Sequence, residues 1–169
     1  MSALLPTLSV LLAVLATAVP WGLPADASFT LPLVVVMMVF CWRMMPDAAL
    51  PLSACMLLGL LTDVMSGGPL GFFALMALIA ASVGGLLRFT LEPRDLAALW
   101  LIWSALALTL GLLGWLLGSL YFFRWVDWWP ILFGTLTSIM LFPVVLRGLV
   151  WIRRGRLGPD HGAMFRSWS

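Results

Sequence analysis

The sequence predicts an all-α fold, a polytopic transmembrane bundle of about six helices. Composition is the first reason: of 169 residues, 63% are hydrophobic and only 9% charged, against about 25% charged in an ordinary soluble domain. The second is a mean hydropathy of +1.12. The third is that prolines, glycines and charges cut the chain into six apolar stretches with short polar breaks, and a bilayer-crossing helix needs about 20 residues. Too little polar surface remains to cover a water-facing globule. That excludes a soluble enzyme, a nucleic-acid-binding module and a disordered tail. Lipid offers backbone amides no partners and the alternation of a membrane barrel is missing, so the stretches are helices.

Residues 3–19 form the first stretch, closed by Pro20-Trp21-Gly22-Leu23-Pro24. Ala25-Asp26-Ala27 resembles a signal-peptide cleavage site, but no arginine precedes Arg43 to supply a basic leader, so a retained helix is expected. Residues 29–42 are short for a full crossing and call for tilt or local thinning. Residues 48–65 follow Arg43 and Pro46-Asp47. A Ser66-Gly67-Gly68-Pro69 turn leads into residues 70–87, with Pro69 suited to an early helical position. The polar run from Arg88 through Glu92 and Arg94 to Asp95 is the clearest loop. Residues 96–123 are the longest stretch. Arg124 to Pro130 then precedes residues 131–152, where Pro143 removes one backbone bond and predicts a kink. The bundle thus occupies residues 1–152, and residues 153–169 are a basic cytoplasmic tail.

Orientation follows from the cations, which are all arginine; the chain has no lysine. With the amino terminus inside, Arg43, Arg88, Arg94, Arg153, Arg154, Arg156 and Arg166 fall on the inner side and Arg124 outside. This predicts an even number of crossings with both termini cytoplasmic. Trp21, Trp42, Trp125, Trp128, Trp129 and Trp151 fall at expected interfaces. Arg153, Arg154 and Arg156 fix orientation and lie within reach of anionic lipid.

Asp63 is the most informative residue. It lies inside the third stretch, where a charge costs about 2.5 to 3.5 kcal/mol on insertion scales. Counting along the helix at about 1.5 Å per residue places it about 22 Å across, near the outer interface. One reading is a contact to a ligand, ion or partner helix. The favoured one is a carboxylate accepting bonds from the open amides of the next helix, whose dipole welcomes an anion. Ala74, Ala77, Ala81 and Gly85 form a small-residue stripe, as do Gly111, Gly114 and Gly118. Such faces let backbones approach closely and serve packing within the bundle or against a partner helix.

Catalytic patterns are missing: there is no nucleophile elbow, no intramembrane histidine, no His-Glu metal motif and no acidic cluster for magnesium. Cys41 and Cys55 lack metal-site spacing and read as small buried hydrophobes; His161 reads as a solvated tail residue. The sequence therefore predicts neither an enzyme nor a cofactor nor a metal.

The run Gly59-Leu60-Leu61-Thr62-Asp63-Val64-Met65-Ser66-Gly67-Gly68-Pro69-Leu70-Gly71 resembles the signature of the bacterial rod shape-determining protein MreD family. That signature has a glycine, an aspartate four residues on, a small-residue turn and Leu-Gly opening the next helix. The resemblance implies a non-enzymatic inner-membrane scaffold of the cell-elongation complex, supporting cell shape and peptidoglycan synthesis. Its implied partners are an MreC-like bitopic protein, actin-like MreB filaments and the elongation-specific wall polymerase and transpeptidase, besides the lipid bilayer. In this reading Asp63, Gly67, Gly68 and Gly71 shape the turn between the third and fourth helices. The family is also similar in fold to the substrate-binding membrane subunits of energy-coupling-factor importers. The alternative function is therefore a small-molecule importer subunit with Asp63 lining a pocket.

Overall fold

The computed structural model describes residues 4–19, 30–45, 50–89, 96–123, 125 and 127–154, with side chains up to 152. Trp21, Arg94, Arg124, Arg156, Arg166 and His161, the side chains of Arg153 and Arg154, and most of the basic tail lie outside the described residues. Those described form six helices and no strand: α1 (Leu4–Thr17), α2 (Thr30–Met44), α3 (Leu52–Ser66), α4 (Phe72–Leu87), α5 (Leu96–Tyr121) and α6 (Trp129–Arg154). Two of them, α5 and α6, are long and apolar enough to cross a membrane. The other four have 14 to 16 residues, about 21 to 24 Å of helix, less than a bilayer's hydrocarbon thickness of about 30 Å.

Helix α2 is the axis of the molecule. Of its residues, Leu33, Val36, Met37, Val39, Phe40 and Cys41 are essentially inaccessible. Helices α1, α3, α4 and α6 pack against it, and α5 packs against α6 and the edge of α4. The reason is its run of β-branched and bulky apolar residues with no polar side, since a helix apolar all round is stable only when enclosed. Phe40 meets Trp103 of α5 at 5.3 Å between ring centroids, and Trp103 stacks on Phe142 of α6 at 5.8 Å. This aromatic group joins the central helix to the last two. The Trp103 indole N–H has no acceptor among the described residues.

Trp42 differs from expectation. It is a core side chain, not an interfacial one; its indole N–H donates to the Ser9 hydroxyl at 2.9 Å, and that hydroxyl donates to the Pro6 carbonyl. A tryptophan at the end of an apolar run looks the same in sequence whether its polar edge meets water or a neighbouring helix. Arg43 is likewise drawn into packing. Its Nε donates to the Ala81 carbonyl at 3.2 Å and its Nη1 to the Leu50 carbonyl at 2.9 Å, tying the end of α2 to α4 and to the entry of α3.

Helix α6 runs unbroken through Pro143. Proline has no N–H, so the Ile139 carbonyl loses its intrahelical donor. The Trp100 indole of α5 supplies the replacement, donating to that carbonyl at 3.0 Å. Trp100→Phe should therefore destabilise the fold by about 1 kcal/mol. Pro143→Ala restores the missing amide, so in that background the same change should cost much less. Thermal unfolding of the four proteins in the cycle checks this; equal costs in both backgrounds would show the bond to be energetically idle.

Candidate functional site

The residues singled out in sequence converge where α3 turns into α4. Helix α3 ends on Gly67, whose φ of +66° is the left-handed cap that closes a helix without a Cβ penalty. Gly71 precedes α4 with φ of +94°, a conformation that would strain any residue with a side chain. Pro69 is not in the helix: α4 begins at Phe72, and the Pro69 carbonyl accepts the Phe72 amide in the turn before it. The early-helix expectation for Pro69 is thus corrected, because Gly71 in its left-handed conformation moves the helix start two residues later. Gly68 stands in open space within the same turn.

Asp63 is fully buried one turn before the end of α3. Its Oδ1 accepts the Phe73 amide at 2.7 Å, and its Oδ2 accepts the Gly71 amide at 2.9 Å and the Ala74 amide at 3.3 Å. Phe73 and Ala74 are the second and third residues of α4, the positions whose amides have no carbonyl of their own helix to meet. A side chain from one helix thus caps the next, at the positive end of its dipole. Both oxygens are engaged by backbone.

One turn back on the same face of α3, Gly59 lies directly against the α4 backbone. A Cβ placed there would lie 2.5 Å from the Ala74 Cα and 2.9 Å from its amide nitrogen. The glycine at 59 therefore lets α3 come near enough for Asp63 to reach the amides. Glycine for approach, aspartate for capture and glycines for reversal make up one corner.

The two small-residue stripes serve helix contacts. Ala77 and Ala81 are buried. Gly84, one position from the expected Gly85, packs directly on α2: a Cβ on Gly84 would lie 2.7 Å from the Phe40 carbonyl. Gly85 instead leaves room for the Arg43 guanidinium, whose Nη2 a Cβ would meet at 2.8 Å. In α5, Gly111 and Gly114 are buried and Gly118 is half-buried. A Cβ on Gly111 would lie 2.7 Å from the Thr135 hydroxyl of α6. Gly111 also floors an open apolar groove of about 230 Å³ between α5 and α6, flanked by Leu108, Leu112, Trp115, Trp128 and Ile131.

Arg88 ends α4 with its guanidinium 4.4 Å from the Phe89 ring centroid. Trp128 and Trp129 stack at 4.8 Å, Trp115 and Trp125 meet at 5.5 Å, and Asp127 accepts the Trp129 amide at 3.2 Å. Cys41 and Cys55 are buried and unpaired. No group of three or more possible metal ligands occurs among the described residues. Arg147 was not anticipated. It sits exposed within α6, and the only signal was a lone cation inside an apolar run.

No family model matches this chain, and neither a curated protein nor a solved structure is found to match it.

Proposed function

We propose that the chain is a six-crossing inner-membrane scaffold of the MreD type, acting in the cell-elongation complex by holding a single-pass partner of the MreC kind and not by catalysis. Cytoplasmic termini and inner loops would then face the MreB filaments, and the wall polymerase and transpeptidase would work alongside. The observation that carries the reading is the α3–α4 corner. The residues of the family-like motif, Gly59, Asp63, Gly67 and Gly71, occupy the positions where approach, capping and reversal each need that residue type. A corner whose residues all answer demands of backbone architecture suits a protein that works by shape.

The surroundings fit lipid. Six helical hydroxyls, those of Thr62, Ser82, Ser104, Thr109, Thr135 and Thr137, donate to the carbonyl four residues earlier. Exposed Ser82 and Thr109 are thus satisfied within their own helices, as an apolar solvent demands. The importer-subunit alternative needs Asp63 for a solute, whereas its oxygens are engaged by three amides. A similar fold to such subunits remains part of the proposal.

Depletion in a rod-shaped host that carries the gene should turn rods into spheres, followed by microscopy. Unchanged rods in a host with no second copy would refute the scaffold role, and a vitamin co-purifying with the protein would favour the importer.

A further inference from the structure

We propose that Arg147, with the side of α6 around it, binds the phosphate of an anionic phospholipid in the inner leaflet. The inference rests on the membrane reading above and adds a ligand to it. Arg147 shares one face of α6 with Met140, Val144 and Trp151, which are 76%, 65% and 76% exposed. A permanent cation therefore stands in an exposed apolar stripe. It makes no ion pair or side-chain hydrogen bond within the described residues. The two described carboxylates are elsewhere: Asp63 is enclosed by amides at the α3–α4 corner, and Asp127 sits at the opposite end of α6.

Position supplies the rest. Arg147 lies 18 residues beyond Trp129, about 27 Å along the helix, just short of the far edge of a hydrocarbon layer about 30 Å thick. From there a long arginine side chain extends to the phosphate level while its stem stays in the acyl region. Trp151, one turn further, stands at the depth where an indole donor meets headgroups. Gly148 keeps the neighbouring surface open, since a Cβ there would meet nothing within 4 Å. The guanidinium fork matches phosphate oxygens in geometry and charge. Met140 and Val144 offer the acyl chain a place to lie, which selects a lipid over free phosphate.

The full chain, reconstituted in nanodiscs of mixed phosphatidylcholine and phosphatidylglycerol, tests the proposal by counting retained lipids with native mass spectrometry. Arg147→Gln should lower the phosphatidylglycerol preference about fivefold, the equivalent of about 1 kcal/mol for one juxtamembrane cation. Arg147→Lys should keep the part of the preference that charge supplies and lose the part that the fork supplies, and millimolar inorganic phosphate should not displace the lipid. An unchanged preference in R147Q overturns the proposal, as does displacement by inorganic phosphate. Unchanged lipid together with loss of a co-purifying single-pass protein overturns it in favour of an acidic partner helix. If the wild type itself fails to float with vesicles, the membrane reading falls and this site with it. A wild type that floats while R147Q keeps its preference refutes the site alone.

Discussion

Replacing Asp63 with alanine is expected to destabilise the protein by about 3 to 4 kcal/mol, enough to free the α3–α4 corner. The change removes three acceptor contacts at once. An intramolecular hydrogen bond contributes about 1 kcal/mol net, and the buried amides of Phe73 and Ala74 would lose the carboxylate that accepts them. Asp63→Asn keeps one oxygen but turns an NH₂ toward an amide, so its cost should fall between wild type and alanine. Thermal unfolding in detergent measures the loss, and limited proteolysis at residues 67–71 reports whether the turn has opened. A melting temperature unchanged in D63A would mean that the amides find other acceptors, and the corner would lose its place in the proposed scaffold.

Gly59→Leu should act as strongly by a steric route. The obstacle to a Cβ is the Ala74 backbone, at 2.5 and 2.9 Å, which cannot rotate away as a side-chain tip can. Alanine at 59 should already cost about 2 kcal/mol, with leucine beyond that as α3 is pushed off α4. The displacement would also draw Asp63 away from the α4 amides. The two changes therefore share a consequence, and the double variant should lose clearly less stability than the sum of the singles. Strict additivity in thermal unfolding would show that approach and capping are independent.

The corner was legible because it is local. Asp63 and its partners are 8 to 11 residues apart, and each glycine answers a backbone demand that sequence displays directly. Six helices were equally legible from apolar stretches, with ends displaced by a few residues where turn geometry intervened, as at Pro69. What sequence concealed depends on distant partners. Trp42 finds Ser9 across 33 residues and Trp100 finds Ile139 across 39; nothing in the immediate surroundings of either tryptophan announces the other residue. Yet Pro143 did announce a carbonyl in need of a donor, and the answer came from a neighbouring helix. Arg147 escaped because an arginine inside an apolar run looks like an interruption and not like a site.

The enclosure of α2 has a consequence for assembly order. Helix α2 shares its aromatic contact through Phe40 with Trp103 and Phe142, residues that emerge far later. Helices α1 to α4 can gather early, joined at the Asp63 corner. The part of the Phe40 ring that meets Trp103 and Phe142 is fully covered only once synthesis has passed residue 142. The slow step of folding should thus be the docking of the α5–α6 hairpin, the closure with the widest separation along the chain, and a ribosome-stalled intermediate ending before residue 129 should leave that surface open to chaperones or to an early partner.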